Sequence, residues 1–117
     1  MKVRKITFGA WSPGDGGFRD ELYVYDLRGV DSYLAEQALD GNGGEKILVH
    51  DIGNGNLLIT YSLGNFKFCP SGVTGEGYAI VKSSFEDFLV SLEDWEVCES
   101  CEGYSLRKIS EEEVELA

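Results

Sequence analysis

The chain has 117 residues, a length that supports one domain with a single hydrophobic core. Its 43% hydrophobic content, with two Trp, six Tyr and six Phe residues, favours a folded chain over a disordered one. Twenty-one acidic residues against ten basic ones give a formal net charge of -11. This excess of carboxylates disfavours direct binding to nucleic acid or to an anionic membrane surface.

The negative charge is concentrated in the last quarter of the chain. Between Glu86 and Ala117 there are eleven acidic and two basic residues, so eleven minus two places -9 of the total -11 in this segment. A charge separated in this way produces a directed negative field that attracts a basic partner. We therefore expect one domain, residues 1–117, with an acidic C-terminal segment at 86–117.

The sequence predicts no membrane segment. No apolar run approaches the roughly 20 residues that a membrane-spanning helix needs, and the N-terminus passes directly into an alternating segment without the apolar region of a signal peptide. Three cysteines, an odd number, are more typical of a reducing compartment than of a disulfide-stapled secreted protein. We expect a soluble, cytoplasmic protein.

The N-terminal part of the chain predicts a β-hairpin. Alternation over Lys2–Trp11 puts Ile6 and Phe8 on one face of a first strand. The Pro- and Gly-rich run Ser12–Gly17 is typical of a turn, and Glu21–Leu27 alternates again as a second strand.

A short helix and several short strands are predicted next. Asp31 is a suitable N-cap for a helix over Ser32–Leu39, which the glycine-rich run after Leu39 ends. Strands are then predicted in four segments separated by turn residues: Lys46–Ile52, Asn56–Ser62, Phe66–Cys69 and Gly77–Val81.

The strongest helix signal begins at Ser84. This residue is a predicted N-cap with Asp87 three positions later. Four apolar residues follow at i, i+3, i+4 and i+7 on one face: Phe85, Phe88, Leu89 and Leu92. Beyond it, Tyr104–Ile109 is a possible strand, and Ser110 with its three following glutamates predicts a terminal helical turn. The predicted fold class is α+β, a mostly antiparallel sheet of about six strands with two helices packed on one face.

The cysteines leave a metal site open as an alternative. Cys98 and Cys101 have the spacing of half a zinc knuckle, and Cys69 and His50 are the other candidates for the four ligands that structural zinc requires. Nothing places Cys69 and His50 in a second short-spaced pair, so ordinary free thiols are the simpler interpretation. A small zinc-binding or adaptor domain is the alternative function.

No catalytic motif is present in the sequence. The single histidine, His50, ends a predicted strand, where a surface or hydrogen-bonded role is more common than general-base catalysis. The glycine-rich runs lack the Lys-Ser/Thr of a phosphate-binding loop and suit hairpin turns. We expect a protein that is not an enzyme and that has no cofactor.

The acidic segment contains the candidate partner-binding residues. Trp95 lies among carboxylates, and an aromatic anchor within a charged field is the composition expected of a recognition surface. Two simpler interpretations are a solvated helix face for the acids and core closure for the Trp. The predicted partner-binding residues are Glu93, Asp94, Trp95, Glu96, Glu99 and Glu102.

Part of the chain resembles the SUKH superfamily. The resemblance lies in Ile52–Thr60 with its Gly-Asn-Gly-Asn turn, in Asn65–Phe68, and in Ala79–Val81 leading into Ser83–Leu89. It spans about residues 52–92. Members are chiefly bacterial immunity proteins that bind and neutralise nuclease or other toxins, so the resemblance implies an immunity function.

An acidic α+β protein of this size also resembles phage-type inhibitors that imitate DNA, such as anti-restriction or anti-CRISPR proteins. Both resemblances imply the same mode of action. We expect a non-enzymatic inhibitor that binds a basic partner, a toxin nuclease or a defence nuclease, through its C-terminal acidic surface.

Overall fold

The computed structural model describes residues 2–12, 17–31, 45–64, 75–94 and 105–115. Within these ranges the elements, in chain order, are β1 (Lys2–Ser12), β2 (Gly17–Asp26), β3 (Glu45–Gly53), β4 (Asn56–Ser62), β5 (Glu76–Lys82), α1 (Phe85–Ser91), a 3-10 turn (Leu92–Asp94) and β6 (Ser105–Glu115). The predicted helix at Ser32–Leu39 and the predicted strand at Phe66–Cys69 lie outside the described residues.

The described strands form one six-stranded mixed sheet in the order β5-β4-β3-β2-β1-β6. Four neighbouring pairs are antiparallel, as predicted, but β2 and β3 are parallel, with Leu22 opposite Glu45 and Asp26 opposite Val49. Four of the five described strand pairs are antiparallel, so the sheet is mostly antiparallel as predicted, and the parallel β2–β3 pair makes it mixed. Parallel neighbours need a long crossover connection, and 18 residues separate these two strands.

The main hydrophobic core lies between the sheet and α1, and we call this side of the sheet the helix face. Strand residues at alternate positions point into it, among them Ile6, Val24 and Ile59, each with no exposed surface. Phe85 and Phe88 of α1 pack against them and are almost fully buried. At about 1.5–3 kcal/mol for each fully buried large side chain, this core is the main source of stability.

A second, smaller cluster lies on the opposite face of the sheet. It consists of Val3, Tyr25, Leu27 and Leu48, with Tyr23, Val30 and Val114 half-buried beside it. Because successive strand residues point to opposite faces, burial on both faces explains why the central strands carry near-continuous apolar runs. The run Ile47–Val49 is buried at every position.

The turn residues of the β3–β4 hairpin determine its geometry. Asn54 and Gly55 both have positive φ, at 58° and 76°, as a two-residue type I′ turn requires. The side chain of Asp51 accepts a hydrogen bond of 2.8 Å from the amide of Gly53 and fixes the entry to the turn. The predicted turn and both flanking strands are confirmed.

Helix α1 begins as predicted. The hydroxyl oxygen of Ser84 accepts a 3.1 Å hydrogen bond from the amide of Asp87, and Ser84 itself is extended, as an N-cap should be. The helix passes into the 3-10 turn at Leu92, which is fully buried. This is the one α-helix among the described residues, so the prediction of two helices on one face is confirmed for α1 alone.

The C-terminal prediction is partly wrong. Residues 110–115 continue strand β6 instead of opening a helical turn, and they pair with β1 from Thr7 back to Lys2. The register shifts between Thr7 and Phe8 of β1, because β6 has one extra residue, Ile109, between their partners Ser110 and Lys108. The strand brings four glutamates alongside the basic N-terminal residues of β1, a pairing that the helical signal of Ser-Glu-Glu-Glu does not reveal.

No helix in the described part of the chain is long and apolar enough to cross a membrane.

Candidate interaction surface

Arg4 connects the start of α1 to strand β6. Its Nη1 lies 2.9 Å from a carboxylate oxygen of Glu86, and its Nε donates a 3.0 Å hydrogen bond to Glu111. The hydrogen bonds to Glu86 and Glu111 raise the pKa of Arg4, and Arg4 in turn lowers the pKa of the Glu111 carboxyl. Two acidic residues that are 25 positions apart in the chain are therefore held on one surface.

A second arginine lies beside the same helix start. The guanidinium carbons of Arg4 and Arg28 lie 5.2 Å and 4.4 Å from the ring centroid of Phe85, within cation–π range. Arg28 also donates two hydrogen bonds of 2.8 Å to the two carboxylate oxygens of Asp26. Because both guanidinium groups are held by carboxylates, this cluster has a structural role and is poorly suited to capturing a free anion.

One side of the helix carries an apolar residue between acidic ones. Glu86, Val90 and Glu93 follow at i, i+4 and i+7, a spacing that places them on the same side of the helix and its 3-10 continuation. All three are exposed, and Val90 keeps 67% of its surface accessible. Since Glu86 contacts Arg4 of β1, this side of the helix is turned toward β1 and β6.

Strand β6 adds carboxylates to the same side of the sheet. Glu113 is directly opposite Arg4 and Glu111 is opposite Ile6, so both lie on the helix face. The 3-10 turn that carries Glu93 packs against β6. We name the set Glu86, Val90, Glu93, Glu111 and Glu113 the acidic surface.

The acidic surface keeps a negative charge after its internal pairing. Its four carboxylates, the guanidinium of Arg4 and the nearby ammonium of Lys108 leave a net charge of -2, four minus two. In the described part of the chain, Glu93 and Glu113 make no ion pair. By contrast, Glu112 points to the opposite face, where its carboxylate lies 3.9 Å from Nζ of Lys5.

The sequence prediction and the structure overlap at the start of the proposed binding segment. Glu93 belongs to the acidic surface, and Asp94 ends the 3-10 turn next to it. Trp95, Glu96, Glu99 and Glu102 lie outside the described residues. Val90 was not among the predicted binding residues, although its position between Glu86 and Glu93 at helical spacing was a usable signal.

The zinc alternative falls mostly outside the described residues, which include none of the three cysteines. His50 lies on β3 and is buried, with 5% of its surface accessible, so of the two roles expected for it, surface or hydrogen-bonded, the surface role is wrong. No group of three His, Cys, Asp or Glu side chains in the described ranges is arranged to hold a metal ion.

A groove of about 650 Å³ lies on the opposite face, where β3, β4 and β5 run side by side. Leu48, Leu58 and Tyr78 line it, and Lys46 and Glu76 provide charged groups at its border. Within its walls the hydroxyl of Ser62 donates a 3.5 Å hydrogen bond to a carboxylate oxygen of Glu76.

Comparisons of the chain with models of protein families, with curated proteins and with solved structures found no match. The resemblance to the SUKH superfamily stays a prediction from the sequence.

Proposed function

We propose that this protein is a non-enzymatic inhibitor or immunity protein that binds a basic, nucleic-acid-acting enzyme through the acidic surface. The observation that supports this proposal most directly is the bridge of Arg4 between Glu86 and Glu111. It brings Glu86 of α1 and Glu111 of β6 together on one surface, which supports a localised acidic patch. Toxin immunity and DNA mimicry are both forms of this proposal, and they differ in the enzyme that is bound.

The composition of the acidic surface suits a protein partner. Protein interfaces combine an apolar centre with a polar, solvent-accessible rim. Val90 supplies an exposed apolar group, and Glu86 and Glu93 flank it one helical turn away on either side. In this proposal Trp95 and the acids Glu96, Glu99 and Glu102 extend the binding surface along the chain from Glu93.

The proposed mechanism is occlusion of a cationic substrate channel. A channel that binds nucleic acid presents Lys and Arg side chains to phosphates, and a rigid array of carboxylates competes for the same groups. Complementary electrostatic potentials on the two proteins raise their association rate constant towards about 10⁸ M⁻¹s⁻¹ at low salt. They also make this rate constant fall steeply with ionic strength. The helix and strand β6 set the backbone positions from which these carboxylates project.

The test begins with partners that co-purify from the native host and continues with the enzyme identified among them. The association rate and the inhibition of that enzyme are measured for the wild type and for the variant Glu86→Gln/Glu93→Gln/Glu113→Gln. We expect the triple variant to associate at least about tenfold more slowly at low salt, with a smaller dependence on salt.

A charge-matched control comes from acids elsewhere on the sheet. The variant Glu21→Gln/Glu76→Gln/Glu112→Gln has the same net charge, but its three substitutions lie away from the acidic surface. If both variants associate equally slowly, the change in net charge alone explains the slower association. This result would contradict a localised docking surface. An enzyme that remains fully active with the protein bound would contradict the inhibitor function.

A further inference from the structure

Strand β5 forms one edge of the described sheet and carries exposed apolar side chains. Tyr78 and Ile80 keep 73% and 62% of their surfaces accessible, on the face opposite α1. Glu76 precedes them at one end of the strand and Lys82 follows at the other. An open edge with exposed apolar residues is a surface for pairing with another strand.

The register with β4 shows which backbone groups of β5 point outward. The amide of Leu63 donates to the carbonyl of Gly75, and the amide of Ser83 donates to the carbonyl of Gly55. Hydrogen-bonded pairs alternate along an antiparallel ladder, so the odd-numbered residues of β5 bond to β4. The amides and carbonyls of the even-numbered residues, 76 to 82, therefore point away from the sheet.

These outward groups fit a second copy of the same strand. When two β5 strands run antiparallel with Ala79 opposite Ala79, the residue numbers of each pair sum to 158. Even-numbered residues then face even-numbered residues, so the amides and carbonyls that bond to no strand within the described ranges meet as hydrogen-bonded pairs. In this register all seven residues of each β5 strand have a partner in the other copy.

The side chains are complementary in the same register. Glu76 of each copy lies opposite Lys82 of the other, and Tyr78 lies opposite Ile80. Opposite charges and aromatic–β-branched pairs are both favourable across antiparallel strands. On the helix face the opposing residues are Gly77 with Val81 and Ala79 with itself, which are small enough to avoid crowding at the centre.

We propose that β5 pairs antiparallel with β5 of a second copy, centred on Ala79, so that two six-stranded sheets join into one continuous sheet. A seven-residue strand gives an interface at the small end of the known range. The dimer is therefore weak, with a dissociation constant of about 100 µM. The acidic surface includes no β5 residue, so the proposal is independent of the inhibitor function.

Sedimentation velocity measures the association directly. The full chain is examined from about 10 µM to about 1 mM as the wild type, as Glu76→Lys, as Lys82→Glu, and as the double variant with both substitutions. Each single change places like charges opposite each other at both ends of the interface, so we expect a dissociation constant about tenfold larger. The double variant restores opposite charges and is expected to return to within about twofold of the wild type.

A backbone variant tests the pairing independently of charge. Ile80→Pro removes an amide that points away from β4, so the ladder with β4 keeps its hydrogen bonds while the dimer loses two. We expect a folded monomer, with the fold checked by circular dichroism. A wild type that stays monomeric at the highest concentration would overturn the proposal. So would a double variant as weak as the single ones, or a folded Ile80→Pro variant that still dimerises.

Discussion

The phenol of Tyr61 occupies the space that a side chain at Gly77 would need. The two residues are directly opposite each other in β4 and β5. A Cβ atom on Gly77 would lie 2.8 Å from the hydroxyl oxygen of Tyr61 and 3.1 Å from its Cζ. An aromatic ring over a glycine of the neighbouring strand compensates for the missing side chain. It also closes the end of the main core, since Tyr61 is only 6% exposed.

We expect Gly77→Ala to destabilise the protein. Glycine to alanine in a strand normally stabilises by reducing the entropy of the unfolded chain, by about 0.4–1 kcal/mol. Here the methyl group displaces the ring of Tyr61, and overpacking of this kind costs about 1–3 kcal/mol. Urea unfolding of Gly77→Ala with and without Tyr61→Phe measures the coupling. Removing the hydroxyl should reduce the penalty by at least about 0.5 kcal/mol, whereas additive effects would contradict the contact.

The pKa of Glu111 should depend on Arg4. A hydrogen bond from Arg4 lowers the pKa of this carboxyl, so Arg4→Gln should raise it toward its ordinary value. The matched control is Lys5→Gln, which removes the neighbouring cation on the opposite face of β1 and should leave the Glu111 pKa almost unchanged. Side-chain carboxyl NMR titrations provide the measurement. Equal shifts in both variants would show that general charge, not the Arg4 contact, sets the pKa.

The local signals in the sequence predicted the hairpins and the helix well. Asn54-Gly55 specified a type I′ turn, and Ser84 with the apolar spacing from Phe85 specified α1. These features depend on residues close together in the chain, so propensity and periodicity are sufficient to predict them.

One error arose where a distant segment decides the structure. Ser110 and the following glutamates have the composition of a helix start, but strand β1 offers Arg4 and Lys5 as partners, and pairing with them stabilises the extended form. The parallel pairing of β2 with β3 was not specified by the prediction, although the long intervening segment, which a hairpin does not need, is compatible with it.

The acidic surface was predicted in its charge but not in its geometry. Counting residues located the excess of carboxylates after position 85, whereas only the folded chain places Glu86 and Glu111 on the same arginine. No pattern in the sequence shows which side of a helix a neighbouring strand occupies.

The N-cap of α1 gives a prediction with a built-in control. Ser84→Ala removes the acceptor of the Asp87 amide and should lower the free energy of unfolding by about 1 kcal/mol. Ser84→Asp keeps an acceptor at the same position and adds a negative charge at the helix N-terminus, so its stability should match that of the wild type within about 0.5 kcal/mol. Chemical denaturation distinguishes the two. Equal losses in both variants would mean that the hydroxyl has another role.

Asp26 makes the fold sensitive to acid. Burial raises the pKa of this carboxyl, but the hydrogen bonds from the side chain and backbone of Arg28 outweigh burial and hold the pKa below its ordinary value of 3.8. A carboxyl with a lowered pKa in the folded state contributes stability above its unfolded pKa, and this contribution is lost as the pH falls through the folded pKa.

The expected signature is a pH-dependent difference between the wild type and Asp26→Asn. Near neutral pH the variant should be less stable by about 1.5–3 kcal/mol, the range for hydrogen bonds to charged groups. Below about pH 4 the difference should shrink, because the wild-type carboxyl becomes protonated. In an Arg28→Gln background the pH dependence of this difference should be weaker, since the group that lowers the pKa of Asp26 is gone. Urea unfolding at several pH values measures all four proteins. A difference of the same size at acidic and neutral pH would show that the Asp26 side chain stabilises the fold through packing and not through its charge.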